Sequence, residues 1–332
     1  MTSPTTDHST PATQFVRIGC DLEYSLQFDA PAMFALQPRD TPRQHLLEER
    51  RLIEPMPGLG QFKSYLDQYG NTIWRMTAQA GRLRVTHDLI VEVSAAFDPQ
   101  LPHLGVQHIE DLPDHVLVYT LPSRYCESDK LAGEAWDLFG NVPRGWQQVQ
   151  AICDHLHGTI PYRTGSTYST SALEAYRAGH AVCRDFAHMA VAFSRALSIP
   201  ARYVCGYLPD IGVPPDPAPM DFHAWFEVYL EGAWRTFDAR HNRPRTGRVI
   251  IATGRDAADT AFSTTYGATR LERMRVWALP SDSTHLGALG PTPDVPINEA
   301  AVETAAPANT SLEPTDDAAP VHGGASPKTN AP

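Results

Sequence analysis

Apolar residues recur at every second position from Phe15 to Phe28, at Ile18, Cys20, Leu22, Tyr24, Leu26 and Phe28. That period of two predicts a half-buried strand. Strand-like runs follow at Ala32 to Leu36, Thr72 to Met76 and Leu83 to Val93, separated by turns such as Met56-Pro57-Gly58 and Tyr69-Gly70-Asn71. Residues 13–98 therefore read as an all-β sandwich domain. After Pro99 and Pro102 the texture becomes helix-compatible, as at Lys130 to Phe139 and Trp146 to His157. From Cys183 to Leu197, Phe186, Ala187, Ala190, Val191, Phe193, Ala196 and Leu197 make one apolar helical face, which Ile199-Pro200 ends. Strands are expected at Ala201 to Leu208, Phe222 to Leu230 and Trp234 to Asp238, the last two joined at Glu231-Gly232. A helix followed by an antiparallel sheet predicts an α+β domain over 99–279.

Beyond Pro280 the chain is rich in Ala, Pro, Thr, Ser and acidic residues and poor in large apolar ones. Such a segment buries too little surface to offset its ordering entropy, so residues 280–332 are expected to be a disordered tail. Residues 1–12 read as a disordered N-terminus, and a chain ending after Leu279 is expected to keep its fold. The net charge of -11 is moderated in the folded part, because seven tail carboxylates from Asp282 to Asp317 face only Lys328. No basic stretch interleaved with aromatics marks a nucleic-acid partner. Met1 to Gln14 lacks the basic and apolar regions of a signal peptide, and no run of ~18 apolar residues marks a membrane span. Five widely spread cysteines without a Cys-x-x-Cys pair fit reduced thiols in the cytoplasm.

An ordinary thiol, with a pKa of about 8.5, is mostly protonated at neutral pH, so a nucleophilic cysteine needs its charge stabilised. Cys183 opens the amphipathic helix, where free amides and the positive end of the macrodipole favour an anion. Its own amide would face the charge developing on an attacked carbonyl. His223 opens the run FHAWFEVYL, and Asp238 closes WRTFD on the next strand. Pairing of these strands brings the two together, with Asp238 orienting the imidazole and His223 serving as base.

The stretch from Gly179 to Gly206, GHAVCRDFAHMAVAFSRALSIPARYVCG, resembles the nucleophile segment of bacterial transglutaminase-like proteins, and FHAWFEVYL with FDARHN resembles their His and Asp segments. LPSRYC at 121–126 and GRVIIATGRDAADTAF at 247–262 are similar to the bacterial two-domain group, in which a β-sandwich precedes the catalytic core. The resemblance covers roughly residues 13–279. It implies a papain-like α+β core with Cys183 as nucleophile, His223 as general base and acid, and Asp238 as orienting carboxylate. Relatives in the wider superfamily include crosslinkers, peptidases, deamidating enzymes, peptide N-glycanases and inactive members, so the resemblance bears on chemistry more than on substrate.

The remaining candidates carry less. Cys20 and Cys205 read as core, and His180, His188 and the His155-x-His157 pair match no zinc spacing, so neither metal nor cofactor is expected. Asp185, close to the thiol, is expected to point away from it. Tyr168, in the loop before the nucleophile, is a candidate oxyanion donor, against the alternative of simple packing. Trp225, on the strand face of His223, is a candidate shield for the site. The expected activity is acyl transfer from a peptide or isopeptide amide through a thioester, with hydrolysis as the default. The alternatives are transfer to an amine by a transglutaminase or ligase, and an inactive peptide-binding module.

Overall fold

The computed structural model describes residues 12–58 and 60–304. Six strands come first: β1 (Thr13–Leu26), β2 (Ala30–Phe34), β3 (Gln44–Glu54), β4 (Lys63–Leu66), β5 (Thr72–Ala78) and β6 (Gly81–Ser94). Helices follow: α1 (Asp114–Leu117), α2 (Ala132–Phe139), α3 (Trp146–Thr159), α4 (Ala172–Ala178) and α5 (Cys183–Ala196). Then come β7 (Ala201–Tyr207), β8 (His223–Leu230), β9 (Ala233–Phe237), β10 (Val249–Gly254), β11 (Ser263–Thr265), β12 (Thr269–Ser281) and α6 (Glu299–Thr304). The α+β class read from the sequence is the one observed.

Two four-stranded antiparallel sheets, β12-β1-β6-β3 and β11-β2-β5-β4, form the sandwich. Their facing apolar residues, among them Ile18, Leu22, Phe34, Met76, Val85 and Val91, share one buried core. Ring pairs cross between the sheets, Tyr24 on Phe34 and Trp74 on His87. The third sheet, β10-β7-β8-β9, is also antiparallel. One of its faces takes the helices, where Phe226, Val228 and Leu230 meet Phe186, Ala190 and Phe193 of α5. Tyr207, Phe222 and Val249 carry the sandwich core into this sheet.

The structure corrects the expected boundaries in two ways. β12 pairs with β1 along its length, from Phe15 opposite Ser281 to Leu26 opposite Thr269, and β11 pairs with β2. The catalytic segment thus ends with β10 rather than at 279, and the chain returns to complete the sandwich. Nor does packing stop at 280. Arg17 donates to the carbonyls of Leu289 and Pro291, the amide of Asn298 donates to the carbonyl of Met274 at 2.9 Å, and Leu286 is buried. The contacts of Arg17, itself paired with Asp88 at 2.8 Å, lie on the outer face of β1, which is buried on both faces rather than one. Residues 305–332 of the expected tail and 1–11 of the expected N-terminus lie outside the described residues.

The return of the chain generates a test that reverses the expectation from composition. Ending the chain after Leu279 is expected to lower the Tm by roughly 5 °C or more, because it removes Leu286 and strips the carbonyls that Arg17 uses. Leu286→Ala alone is expected to destabilise by about 2–3 kcal/mol in chemical denaturation. A truncated chain with unchanged Tm would show that the packed segment contributes nothing.

Candidate active site

The start of α5 is set by the elements around it. α4 is closed at its beginning by Ser171 and Glu174, each bonding the other's backbone amide, and at its end by Gly179 in the left-handed region at φ 67°. A residue with a Cβ would be strained there, so Gly179 turns the chain toward Cys183. Three residues into α5, Asp185 is fully buried, accepts from the amide of Val182 at 3.1 Å, and takes the Ser166 hydroxyl and Arg184. Its carboxylate is thus committed to its own helix start and the preceding loop, as the sequence reading expected.

The two sequence stretches outside the triad motifs hold α5 from behind. Arg195 is buried and donates to the carbonyls of Leu121, Ala201 and Arg255 and to the Ser123 hydroxyl. His188, stacked on Tyr125, accepts from the amide of Ala257 at 3.1 Å. LPSRYC and the segment around Arg255 therefore act as the bed of α5.

Of the five cysteines, Cys20, Cys126, Cys153 and Cys205 are buried and Cys183 alone is partly exposed. Its Sγ lies 4.0 Å from the carbonyl of Phe222, the residue before His223. Among the described residues no hydrogen bond joins the thiol to the imidazole. Surrounding protein pushes the Cys183 thiol up to about 11, an effect that Arg240 opposes and Asp221 reinforces. Because the thiol is partly accessible, solvent relieves part of that penalty. The resting thiol is accordingly neutral, and any thiolate chemistry at this position needs a base.

His223 and Asp238 are joined: Nε2 lies 2.8 Å from Asp238 Oδ2, and both side chains are almost fully buried. The bond to Nε2 leaves Nδ1 as the nitrogen available to the thiol. Burial holds the imidazole below its ordinary range, with Asp238 working against that. Burial alone would raise Asp238, but His223 and Arg248 hold its carboxyl well below the usual carboxylate range. A neutral base beside an ionised carboxylate is the charge state that proton abstraction requires. Arg248 spans two carboxylates, Asp98 at 3.0 Å and Asp238 at 3.1 Å, and the amide of His241 donates to Asp238 Oδ1 at 3.1 Å. Gly206, opposite His223 on β7, is required because a Cβ there would lie 2.0 Å from the carbonyl of Val249.

The weaker candidates separate. Trp225 is 1% exposed, stacks on His223 and lies under Arg248, so it backs the base as an apolar wall. Tyr168 is exposed, in a loop whose hydrogen bonds run among Thr167, Ser169 and Thr170, and no contact ties it to Cys183. Tyr162, Arg240, Arg248 and His241 were not singled out from the sequence. The FDARHN segment contains two of these, Arg240 and His241, but nothing in its composition distinguishes them. His223, Asp238 and His241 bring ligand-capable atoms within 4.8 Å of one another. Both oxygens of Asp238 are already engaged by His223, Arg248 and the His241 amide, which fits a hydrogen-bonded dyad better than an ion site.

Residues 137–239, which contain Cys183, His223 and Asp238, match the family described as the transglutaminase-like superfamily. A candidate cysteine protease from Cytophaga hutchinsonii has a similar crystal structure, with 33% identity, a TM-score of 0.74, and coverage of 82% of this chain and 92% of that one. The chain belongs to the transglutaminase-like superfamily. Uncharacterized proteins of Mycobacterium leprae and Mycobacterium tuberculosis are also similar. The first is 26% identical over 237 residues, covering 68% of this chain and 82% of its own. The second is 28% identical over 249 residues, covering 68% and 77%. Among the described residues no helix is long and apolar enough to cross a membrane.

The dyad's environment fixes the expected pH dependence. A base whose pKa is lowered stays deprotonated further into acid, so the acid limb of kcat/KM is expected below pH 6.5. Arg248→Gln removes a charge that disfavours the imidazolium and should move that limb to higher pH, at a stability cost of about 3–5 kcal/mol from the buried Asp238 carboxylate left without its cation. A limb that stays in place in a folded Arg248→Gln protein would show that His223 is not the titrating base.

Proposed function

We propose that this member of the superfamily is a cysteine-dependent acyl-transfer enzyme acting on peptide or isopeptide amides, most simply a peptidase or amidase. The observation that carries the reading is the one accessible thiol, at the first residue of α5 and beside the Phe222-His223 backbone, with that histidine bonded to a buried carboxylate. Cys183, His223 and Asp238 take the roles of nucleophile, base and orienting carboxylate.

Nδ1 of His223 removes the thiol proton as Sγ bonds to the amide carbon, and the carbonyl π electrons move onto oxygen. Asp238 stabilises the imidazolium, which then protonates the departing amine as the C–N bond breaks. A thioester remains on Cys183. Water, deprotonated by the same imidazole, adds to it and releases the acid and the thiol. Trp225 and Arg248 exclude water from behind the ring, so it works on the cleft side only. No cofactor is needed for this sequence of steps. With all five thiols free, we infer a reducing compartment such as the cytoplasm.

Incubation with peptide amides and intact-mass analysis tests the reading. The wild-type protein is expected to form a transient acyl adduct at Cys183 that water discharges, and Cys183→Ala to form none while keeping its Tm. Asp238→Asn should lower kcat at least about 100-fold, with His223→Ala no less damaging and the double variant little worse than His223→Ala. Turnover that survives Cys183→Ala would sink the assignment. Preferential discharge of the adduct to added amines would instead show transamidation.

A further inference from the structure

Attack on an amide creates a negative oxygen, and stabilising it takes converging hydrogen-bond donors. One is at hand: the amide of Cys183, at the first position of α5, donates to no acceptor among the described residues, whereas the neighbouring Val182 amide is taken by Asp185. We propose that the hydroxyl of Tyr162 is the second donor, and so a catalytic residue of this site. The assignment rests on the reading of Cys183 as nucleophile.

The backbone of Tyr162 forms a parallel bridge with Ala181, two residues before the nucleophile. Arg163 donates its amide to the Ala181 carbonyl at 3.0 Å, and Ala181 donates to the carbonyl of Pro161 at 3.2 Å. From the other side of the site, the Arg240 guanidinium carbon stands 3.9 Å over the Tyr162 ring. Arg240 follows Asp238 by two residues, and its carbonyl is held by His157 Nδ1 at 2.8 Å. The ring is thus gripped between the segment that delivers the thiol and the segment that delivers the carboxylate. Among the described residues its hydroxyl has no hydrogen-bond partner, and the residue is 51% exposed, so the donor is free to meet a substrate oxygen.

Electrostatics favours the same role. A cation over the ring face draws electron density from the phenol and makes its O–H a better donor. Burial and negative charge on Cys183 both oppose loss of the phenolic proton, so the group remains a donor when the thiolate forms. Tyr168, the candidate named from the sequence, has neither tether.

Tyr162→Phe keeps the ring under Arg240 and removes only the hydroxyl. With p-nitrophenyl acetate as the probe, kcat should fall about 10- to 100-fold with KM little changed, since the oxyanion exists only along the reaction path. Alkylation of Cys183 by iodoacetamide builds no oxyanion, and its rate should stay within about twofold of wild type. Tyr162→Phe turning over at the wild-type rate, or losing alkylation by the same factor as turnover, would overturn the assignment. Cys183→Ala, run alongside, separates the two claims. Turnover that persists without the thiol overturns the nucleophile and Tyr162 with it, whereas turnover lost with the thiol yet unchanged in Tyr162→Phe overturns Tyr162 alone.

Discussion

Much of the molecule is organised around one largely buried chain of charges, Asp98–Arg248–Asp238–His223. Arg248 is 8% exposed in its side chain and bridges the two carboxylates. Asp98 lies where the sandwich gives way to the helices and also accepts from the amide of Arg245 at 3.0 Å. Asp238 immediately follows the last strand of the hairpin, β9, and Arg248 immediately precedes β10. Three separate stretches of chain therefore converge on one guanidinium. Unpaired buried charge is expensive, so each stretch holds the other two in place. The imidazole takes its position from that arrangement and its neutrality from burial, which outweighs the pull of Asp238.

A second set of polar contacts joins the two halves. Gln44 donates its side-chain amide to the Ile250 carbonyl at 2.8 Å and accepts from the Ile250 amide at 2.7 Å. Asn71 does the same for Thr253, at 2.8 and 2.9 Å. β10 is the edge of the catalytic sheet, and two buried side chains serve it in place of a neighbouring strand. Replacing Gln44 or Asn71 with an apolar side chain would leave the buried backbone groups of β10 without partners, at about 1–3 kcal/mol each.

The elements that were legible in the sequence are those with a clear apolar pattern: β1 by its alternation, α5 by its helical stripe, and β5, β6, β7, β8 and β9 as strand-like runs between turns. β3 was missed because QHLLEERRLIE is mostly polar or charged, as suits an exposed edge strand, and no periodic face survives. The packed segment after Pro280 was misread because its contacts are few and specific. One leucine and a set of backbone carbonyls do not register in composition. Cys183, His223 and Asp238 could be named because helix start and paired strands each impose a local pattern. Tyr162 could not, since a bridge of one residue and a cation from 78 positions away leave no mark on the local sequence.

The pairing of Phe15 with Ser281 also bears on how the chain is made. A ribosome delivers β1 first and its partner β12 some 250 residues later, roughly 12 to 50 seconds at ordinary elongation rates. Until then β1 can pair only with β6, and its other margin of backbone donors and acceptors stands open. The sandwich comes first in the sequence but is completed last. The nascent protein must carry an unfinished sheet through the whole synthesis of its catalytic segment, which is the interval in which strand-to-strand association between chains is hardest to avoid.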